Sequence, residues 1–222
     1  MEERHLAILR RHMVEVIAIH AELAREVLGK AALDARVMAA MGRVPRHAFV
    51  PAPLLRYAYG DMPLPIGFDK TISQPFMVAV MTDLLEPRPD DVVLEIGTGL
   101  GYQTAILAEL TGRVWSVEIV EELASEAELR LLQLGYTNVG IRVGDGGQGW
   151  PEHALFDKIL LGAAAASCPP ALVAQLRPGG RMVLPIGVED DQRLSVVEKN
   201  ASGDVHVRAL MPVRFTQLET VR

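Results

Sequence analysis

Three glycines, Gly97, Gly99 and Gly101, stand between an apolar run at Val92–Ile96 and a helix-like stretch. A turn without side chains lets a ligand lie close against the backbone. The spacing is G-x-G-x-G, whereas a dinucleotide turn is G-x-G-x-x-G, which would put its third glycine where this chain has Tyr102. No Gly-Lys-Ser/Thr follows, so the turn is not a phosphate-binding loop either. It predicts a nucleotide-like ligand without a diphosphate.

Two acidic residues end the next two predicted strands. Glu118 lies 21 residues after Gly97 and could accept hydrogen bonds from both hydroxyls of a ribose. Asp145 could accept from an adenine amino group. The carboxyl ends of parallel strands form the ligand edge of an open α/β sheet, so these features together predict S-adenosylmethionine. Each alone has a plainer interpretation, since glycines also serve tight turns and a lone acid is usually exposed.

The elements that must position these residues alternate regularly. Strands are predicted at Val92–Ile96, Val114–Glu118, Val139–Val143, Lys158–Leu161, Met182–Ile186, Leu194–Glu198 and Val205–Val213. Helices are predicted at Tyr102–Leu110, Val120–Leu134 and Pro170–Leu176. This alternation indicates an α/β fold with a doubly wound, mostly parallel seven-stranded sheet. Only the turn "NASGD" joins the last two strands, which should therefore form an antiparallel hairpin at the sheet edge.

The first third of the chain predicts a helical cover. Apolar residues recur at helical spacing over residues 5–28, and Asp34 is a suitable N-cap for a second helix that Pro45 ends. Residues 45–75 are rich in proline and glycine, which indicates a long irregular segment packed over the core. Another helix should begin at Pro75.

Length and composition limit the class of protein. A chain of 222 residues suits a single domain over 1–222, with the helices and a substrate-side cover at 1–75 and the α/β core at 76–222. Lys and Arg number 22 against 28 Asp and Glu, a net charge of −6 that disfavours a nucleic-acid partner. One cysteine and the lack of a long apolar run predict a soluble, cytoplasmic protein that does not enter membranes. We expect a monomer.

Several stretches between about residue 34 and residue 218 resemble the protein-L-isoaspartate O-methyltransferase family of repair enzymes. They are "RVMAAMGRVPRHAFVP", "YGDMPLPIGFDKTISQPFMVAVMTDLL", "VLEIGTGLGYQTAILAEL", "VGDGGQGWPEHALFDKILLGAAA", "LRPGGRMVLPIG" and "VRF". The glycine turn is shared with methyltransferases at large, whereas "TISQP" is specific to this family. The resemblance implies a Rossmann-like methyltransferase fold. It also implies methyl transfer from S-adenosyl-L-methionine, leaving S-adenosyl-L-homocysteine. The acceptor would be the α-carboxyl of L-isoaspartyl, and also D-aspartyl, residues in damaged peptides and proteins, whose ester then decays through a succinimide.

The resemblance further implies where the site lies. It gives Ser73 as the active-site hydroxyl. It places around the cofactor Thr71, Ile72, Ser73, Gly97, Thr98, Gly99, Gly101, Glu118, Ile119, Asp145 and Gly146. It places along the peptide substrate Ile66, Lys70, Val213, Arg214 and Phe215. It implies no metal.

The chemistry agrees with these residue types. A carboxylate, with an ordinary pKa of ~4, is already ionised at neutral pH, and a sulfonium donor needs no acid to leave. Such a displacement needs alignment and the exclusion of water, which can supply up to ~7–11 kcal/mol in well-oriented intramolecular reactions. "TISQP" offers hydroxyls and backbone groups but no strong base. Ser73 has a second interpretation as an N-cap of the helix that begins at Pro75, and the two roles are compatible.

The chain departs from the family pattern at five positions. They are Asp69 and Lys70, where Gly and Gln are usual, Gly162 in place of Thr, and Thr216 and Gln217 in place of Val and Pro. These positions fall where the peptide substrate should lie. They leave open a second hypothesis, a related methyltransferase that esterifies another peptide or small-molecule carboxylate. A third, a protein that binds S-adenosylmethionine without catalysis, is disfavoured by the intact cofactor residues and the serine hydroxyl.

Overall fold

The structure, a computed structural model, describes residues 3–220; positions 1, 2, 221 and 222 of the expected domain lie outside the described residues. The helices are α1 (Glu3–Leu23), α2 (Arg25–Leu28), α3 (Ala35–Arg43), α4 (Pro75–Leu85), α5 (Tyr102–Ala108), α6 (Glu121–Gln133) and α7 (Pro170–Gln175). The strands are β1 (Leu64–Gly67), β2 (Lys70–Ile72), β3 (Val92–Ile96), β4 (Arg113–Glu118), β5 (Val139–Val143), β6 (Phe156–Leu161), β7 (Leu176–Val188), β8 (Asp191–Lys199) and β9 (Val205–Val213).

The main sheet has seven strands in the order β5-β4-β3-β6-β7-β8-β9. Strands β3 to β7 run parallel, and β8 is antiparallel to both of its neighbours. The predicted α/β class, the mostly parallel sheet and the antiparallel edge hairpin of β8 and β9 are confirmed. The chain winds outward from β3 to β5 and then returns to the other side of β3 as β6. This reversal opens a crevice at the carboxyl ends of β3 and its neighbours, where open α/β sheets bind ligands.

The parallel strands are apolar because both faces of the sheet are covered. Val93, Leu160 and Val183 lie in the core shared with the N-terminal helices. Leu94 and Met182, from the same strands as Val93 and Val183, lie in a second core on the opposite face. Within residues 3–220, none of the helices combines the length and the apolar character needed to span a bilayer.

The N-terminal helices form the expected cover, but the first of them is interrupted. The predicted helix over residues 5–28 is divided at Ala24, whose φ of −89° and ψ of 6° leave the helical region. No glycine or proline marks this break, so the sequence pattern could not reveal it. Gly29 ends α2 in the left-handed conformation, and the Asp34 side chain caps α3 by accepting from the Arg36 N–H at 2.7 Å. The predicted cap is confirmed.

The segment 45–75 is more regular than expected. Strands β1 and β2 pair as an antiparallel hairpin, and two short 3-10 helices precede it at Arg46–Phe49 and Ala52–Tyr57. Phe68 and Asp69 form the hairpin turn, with φ angles of 54° and 55°. Two left-handed residues in a row are typical of a type I′ turn, which Asn-Gly usually signals. The chain has Phe-Asp at these positions, so the usual signal of a hairpin turn is missing from the sequence. The expectation of an irregular segment was therefore wrong.

Candidate active site

A cleft of about 940 Å³ opens at the carboxyl ends of β3 and β4. The sheet edge forms its floor, and the β1–β2 hairpin, the end of α1 and the chain after β9 form its walls. Most residues predicted for the site line it, namely Ile66, Lys70, Thr71, Ser73, Gly97, Gly99, Glu118, Ile119, Gly146, Val213, Arg214 and Phe215. Among predicted site residues, Ile72, Thr98, Gly101 and Asp145 do not line it.

The glycine turn runs along the floor of the cleft. Gly97, Gly99 and Gly101 have φ angles of 91°, 55° and 95°, a region that other residues rarely adopt. A Cβ at Gly99 would lie 3.3 Å from the side chain of Ile66, so a larger residue would crowd the narrow side of the cleft. Gly101 instead begins α5, and a Cβ there would meet Leu131 at 3.2 Å. It therefore serves helix packing rather than the cleft wall.

Glu118 joins the end of β4 to the glycine turn. One carboxylate oxygen accepts from the Gly99 N–H at 2.8 Å, and the other accepts from the Val120 N–H at 3.0 Å. The residue is only 4% exposed, yet it lines the cleft. Each carboxylate oxygen can accept more than one hydrogen bond, so capacity remains for two ligand hydroxyls. This is the geometry expected of a ribose acceptor.

Asp145 flanks the cleft after β5. Its carboxylate accepts from the Gly147 N–H at 2.8 Å and caps a short 3-10 helix, Gly146–Gln148. Gly146 reaches the cleft itself, and a Cβ at that position would lie 2.3 Å from Ile96. Only a residue without a side chain therefore fits at position 146, beside the carboxyl end of β3, and the cleft stays open there.

A buried polar network, which was not among the predicted site residues apart from Thr98, holds the glycine turn against strands β3 and β4. The hydroxyls of Thr98 and Ser116 lie 2.6 Å apart, and Ser116 and Thr104 each donate to one oxygen of Glu95 at 2.6 Å. The other Glu95 oxygen has no partner among residues 3–220. Complete burial raises the pKa of Glu95 to about 7. A carboxylate inside the apolar run "VVLEI" is the signal that could have revealed it.

Ser73 lies in the cleft wall between β2 and α4. Its hydroxyl makes no hydrogen bond with any of the described residues, whereas the neighbouring Ile72 is 7% exposed and packs in the core. The N-cap residue of α4 is Gln74, and its side chain makes no capping bond. The interpretation of Ser73 as the cap is therefore wrong. The Asp61 carboxylate instead caps α4, by accepting a hydrogen bond from the Phe76 N–H at 2.8 Å. The Ser73 hydroxyl remains available to a ligand.

The backbone of Ser73 is held by Arg46, which is fully buried. The guanidinium donates to the Ser73 carbonyl at 2.8 Å and to the Ala58 carbonyl at 2.9 Å, and it lies 4.8 Å from the centre of the Tyr102 ring. An arginine in a loop is usually exposed, so the sequence did not indicate this role. Arg46 fixes the position of the serine relative to the start of α5.

The departures from the family pattern have definite places. Lys70, in β2, forms an ion pair with Glu219, in the chain after β9, and both residues line the cleft. Gly162 packs beside Gly97 on the floor. Thr216 and Gln217 follow β9, and the Thr216 carbonyl accepts from the Ala164 N–H at 2.8 Å. Asp69 is confined to the exposed hairpin turn. Lys70, Gly162, Thr216 and Gln217 thus border the cleft, whereas Asp69 does not.

The arrangement fits S-adenosylmethionine. The close approach allowed at Gly97, Gly99 and Gly146 and the acceptor capacity of Glu118 suit an adenosine against the sheet edge. Ser73 then lies on the same cleft, where an acceptor carboxylate would have to enter. Within residues 3–220, no group of three or more His, Cys, Asp or Glu residues is placed to hold a metal ion. The residues that line the cleft can position two reactants through hydrogen bonds and backbone contacts.

Comparisons with known proteins agree with this geometry. Residues 20–221 match the family model described as protein-L-isoaspartate(D-aspartate) O-methyltransferase. Protein-L-isoaspartate O-methyltransferase 1 of Polaromonas sp. strain JS666 is 58% identical over 99% of this chain and 93% of its own length.

Two solved structures are similar to this fold. A protein-L-isoaspartate O-methyltransferase matches with a TM-score of 0.79 and 24% identity over 94% of this chain; the match spans 65% of that protein, and it supports the fold alone. A putative protein-L-isoaspartate O-methyltransferase from Plasmodium falciparum, in complex with S-adenosyl-L-homocysteine, matches with a TM-score of 0.73 and 26% identity, covering 85% of this chain and 92% of that one.

Proposed function

The chain belongs to the protein-L-isoaspartate(D-aspartate) O-methyltransferase family, and we propose that it methylates the α-carboxyl of L-isoaspartyl residues in damaged peptides and proteins. The methyl donor is S-adenosyl-L-methionine. The ester product decays through a succinimide and so returns part of the residue to normal aspartate. D-aspartyl residues are a second acceptor, in keeping with the description of the family.

One observation carries this proposal. The Ser73 hydroxyl, which has no hydrogen-bond partner among the described residues, shares a single cleft with the glycine turn and Glu118. A hydroxyl able to hold the methyl acceptor and an adenosine-binding floor thus face the same space. The high identity to isoaspartate methyltransferases over nearly the whole chain supports the same substrate class.

We propose a division of labour among the residues that line or flank the cleft. Glu118 would hold the ribose, and the backbone of Gly97 and Gly99 would contact the methionine part of the cofactor. Asp145 and Ile119 would hold the adenine. When bound, S-adenosylmethionine supplies a methyl group on a positively charged sulfur. These residues fix the direction in which that methyl group faces.

Ser73 orients the acceptor. A hydroxyl that donates to one oxygen of the substrate carboxylate leaves the other oxygen directed at the methyl group, and Arg46 holds the serine backbone in place. No proton has to be removed, since the carboxylate is ionised at neutral pH. Thr71, Ile66 and the segment Val213–Phe215 enclose the peptide and limit the access of water. The rate enhancement then comes from the positioning of the two reactants.

We further propose that the protein works as one domain, as a monomer, in the cytoplasm. The single cysteine, Cys168, leaves no disulfide to form within the chain, which agrees with a reducing compartment. Light scattering at micromolar concentration tests the oligomeric state.

The test of the function is a product analysis. The protein, labelled S-adenosylmethionine and an isoaspartyl peptide are incubated together, and the peptide is followed by mass spectrometry and by release of label in mild base. We expect one base-labile methyl ester per isoaspartyl residue, followed by the succinimide. Label in a base-stable position, or no label although cofactor binds, would overturn the proposal.

A further inference from the structure

We propose that His20, at the end of α1, binds the peptide substrate by accepting a hydrogen bond from a main-chain N–H through its Nε2 atom. This inference rests on the proposed function. His20 lines the cleft together with Ser73 and Gln74, and its side chain is 39% exposed there. It belongs to the N-terminal helix, outside the motifs that carry the family resemblance.

The imidazole is held in one orientation by Asp61. His20 Nδ1 lies 2.7 Å from an Asp61 oxygen. The same carboxylate accepts from the Gln74 side chain at 2.8 Å and from the Phe76 N–H at 2.8 Å. The His20 ring also packs edge-on against Phe76, with centroids 5.5 Å apart. One carboxylate thus ties the histidine to the start of α4, immediately after Ser73.

This contact decides what the free nitrogen can do. A carboxylate accepts hydrogen bonds, so Nδ1 carries the proton towards Asp61, and in the neutral ring Nε2 is then an acceptor. Nε2 has no hydrogen-bond partner among residues 3–220. A partly exposed acceptor, held by Asp61 in the same cleft as Ser73, is suited to a donor that arrives with the ligand. The peptide backbone supplies such donors at every residue except proline.

The orientation of His20 alone would also follow from a purely structural role, in which Nδ1 and Asp61 merely tie α1 to α4. Two substitutions separate the roles. The amide nitrogen of H20N can replace Nδ1 and keep the bond to Asp61, whereas H20Q reaches the position of Nε2 with an acceptor oxygen. The matched control is H12N, since His12 lies on the same helix, is 70% exposed and does not line the cleft.

The experiment measures KM for an isoaspartyl peptide, kcat and the Kd of S-adenosylhomocysteine for the full-length protein and each variant. We expect H20N to raise KM about five- to tenfold, the loss of one hydrogen bond, with kcat and the Kd of the cofactor product unchanged. H20Q should lie closer to the wild type in KM, and H12N should equal it. A wild-type KM in H20N, or a KM in H20Q as poor as that in H20N, would overturn the proposal.

A second measurement remains informative if a variant folds poorly. A series of isoaspartyl peptides, each N-methylated at one amide near the isoaspartyl residue, removes one donor at a time. With the wild type alone, one member of the series should bind about five- to tenfold more weakly than the parent peptide, and equal affinity of every member would overturn the inference. Where H20N folds, it should not distinguish that member from the parent peptide. Failure of the wild type to methylate the parent peptide would instead count against the proposed function itself.

Discussion

The carboxylate of Glu118 accepts a hydrogen bond from the backbone N–H of Gly99 at 2.8 Å, so that the end of β4 is tied directly to the glycine turn that follows β3. Two of the three features that predicted a nucleoside ligand from the sequence, the glycine turn and Glu118, are therefore parts of one structure. The same carboxylate fixes the turn and offers its remaining lone pairs to the cleft.

Replacement of Glu118 by alanine should weaken cofactor binding. The variant loses the ribose acceptor and the anchor of the turn, and hydrogen bonds to a charged group contribute about 1.5–3 kcal/mol. We expect the Kd of S-adenosylhomocysteine, measured by calorimetry, to rise by about 10- to 100-fold. The control is E122A, on the exposed face of α6. An unchanged Kd in E118A would remove Glu118 from the cofactor site.

Replacement of Ser73 by alanine should separate binding from turnover. The hydroxyl bonds none of the described residues, so its loss should leave stability and the Kd of S-adenosylhomocysteine nearly unchanged. Turnover should fall by about 10- to 100-fold, because the acceptor carboxylate loses its alignment. The exposed Ser125→Ala provides the matched control for initial-rate measurements. Full activity in S73A would show that the serine does not orient the substrate.

Glu95 should make stability depend on pH. Burial raises its pKa from 4.5 to about 7, so between these values the folded protein keeps a proton that the unfolded chain has lost. The resulting contribution to stability is fully present below pH 4.5 and is lost as the pH rises through about 7.

The test compares the wild type with E95Q in urea unfolding at pH 4.5 and pH 8. The free energy of unfolding of the wild type should fall by about 3 kcal/mol relative to that of E95Q over this interval. E122Q, an exposed counterpart, should show no such change relative to the wild type. A constant difference between wild type and E95Q would mean that folding does not raise the pKa of Glu95.

The ion pair between Lys70 and Glu219 should slow ligand exchange, because it joins two of the segments that form the walls of the cleft, the β1–β2 hairpin and the chain after β9. The side chains are 18% and 55% exposed, so we expect a coupling free energy of about 0.5 kcal/mol and a roughly twofold faster release of S-adenosylhomocysteine in K70Q. Stopped-flow measurements on K70Q, E219Q and the double variant give the coupling.

The control for this double-mutant cycle is the ion pair between Arg130 and Glu126. Its side chains have similar exposure, 25% and 55%, but it lies on α6, and neither residue lines the cleft. R130Q and E126Q should leave the release rate unchanged. Additive effects of K70Q and E219Q would show that their ion pair does not restrict the cleft.

The sequence predicted the sheet and the place of the glycine turn and Glu118 at its edge, because these depend on local patterns. Buried parallel strands are apolar along their whole length, and the glycines and Glu118 stand at strand ends, where their spacing fixes their position. The bounds of β3, β5 and β9 agree with the prediction. β8 and the carboxyl end of β7 extend further than predicted because their antiparallel pairing continues to Asp191 and Val188. β7 also begins earlier than predicted, where Leu176 pairs with Phe156 of β6.

The surroundings of Ser73 could not be predicted in the same way, because they depend on contacts between distant parts of the chain. Asp61, rather than Ser73, caps α4, and Arg46 is buried beneath the serine. The hairpin turn at Phe68 and Asp69 lacks the residues that usually signal it. His20 gains its orientation from an aspartate far along the chain, and no periodicity in the sequence marks such a pair.

The central claim is that this cleft selects an isoaspartyl carboxylate. Its most direct test compares initial rates of methyl-ester formation on two peptides of the same sequence, one with an L-isoaspartyl and the other with a normal L-aspartyl residue, at equal concentration and saturating cofactor. We predict a rate at least about 100-fold higher for the isoaspartyl peptide. Equal rates, or no transfer to the isoaspartyl peptide by a protein that binds S-adenosylhomocysteine, would contradict the claim.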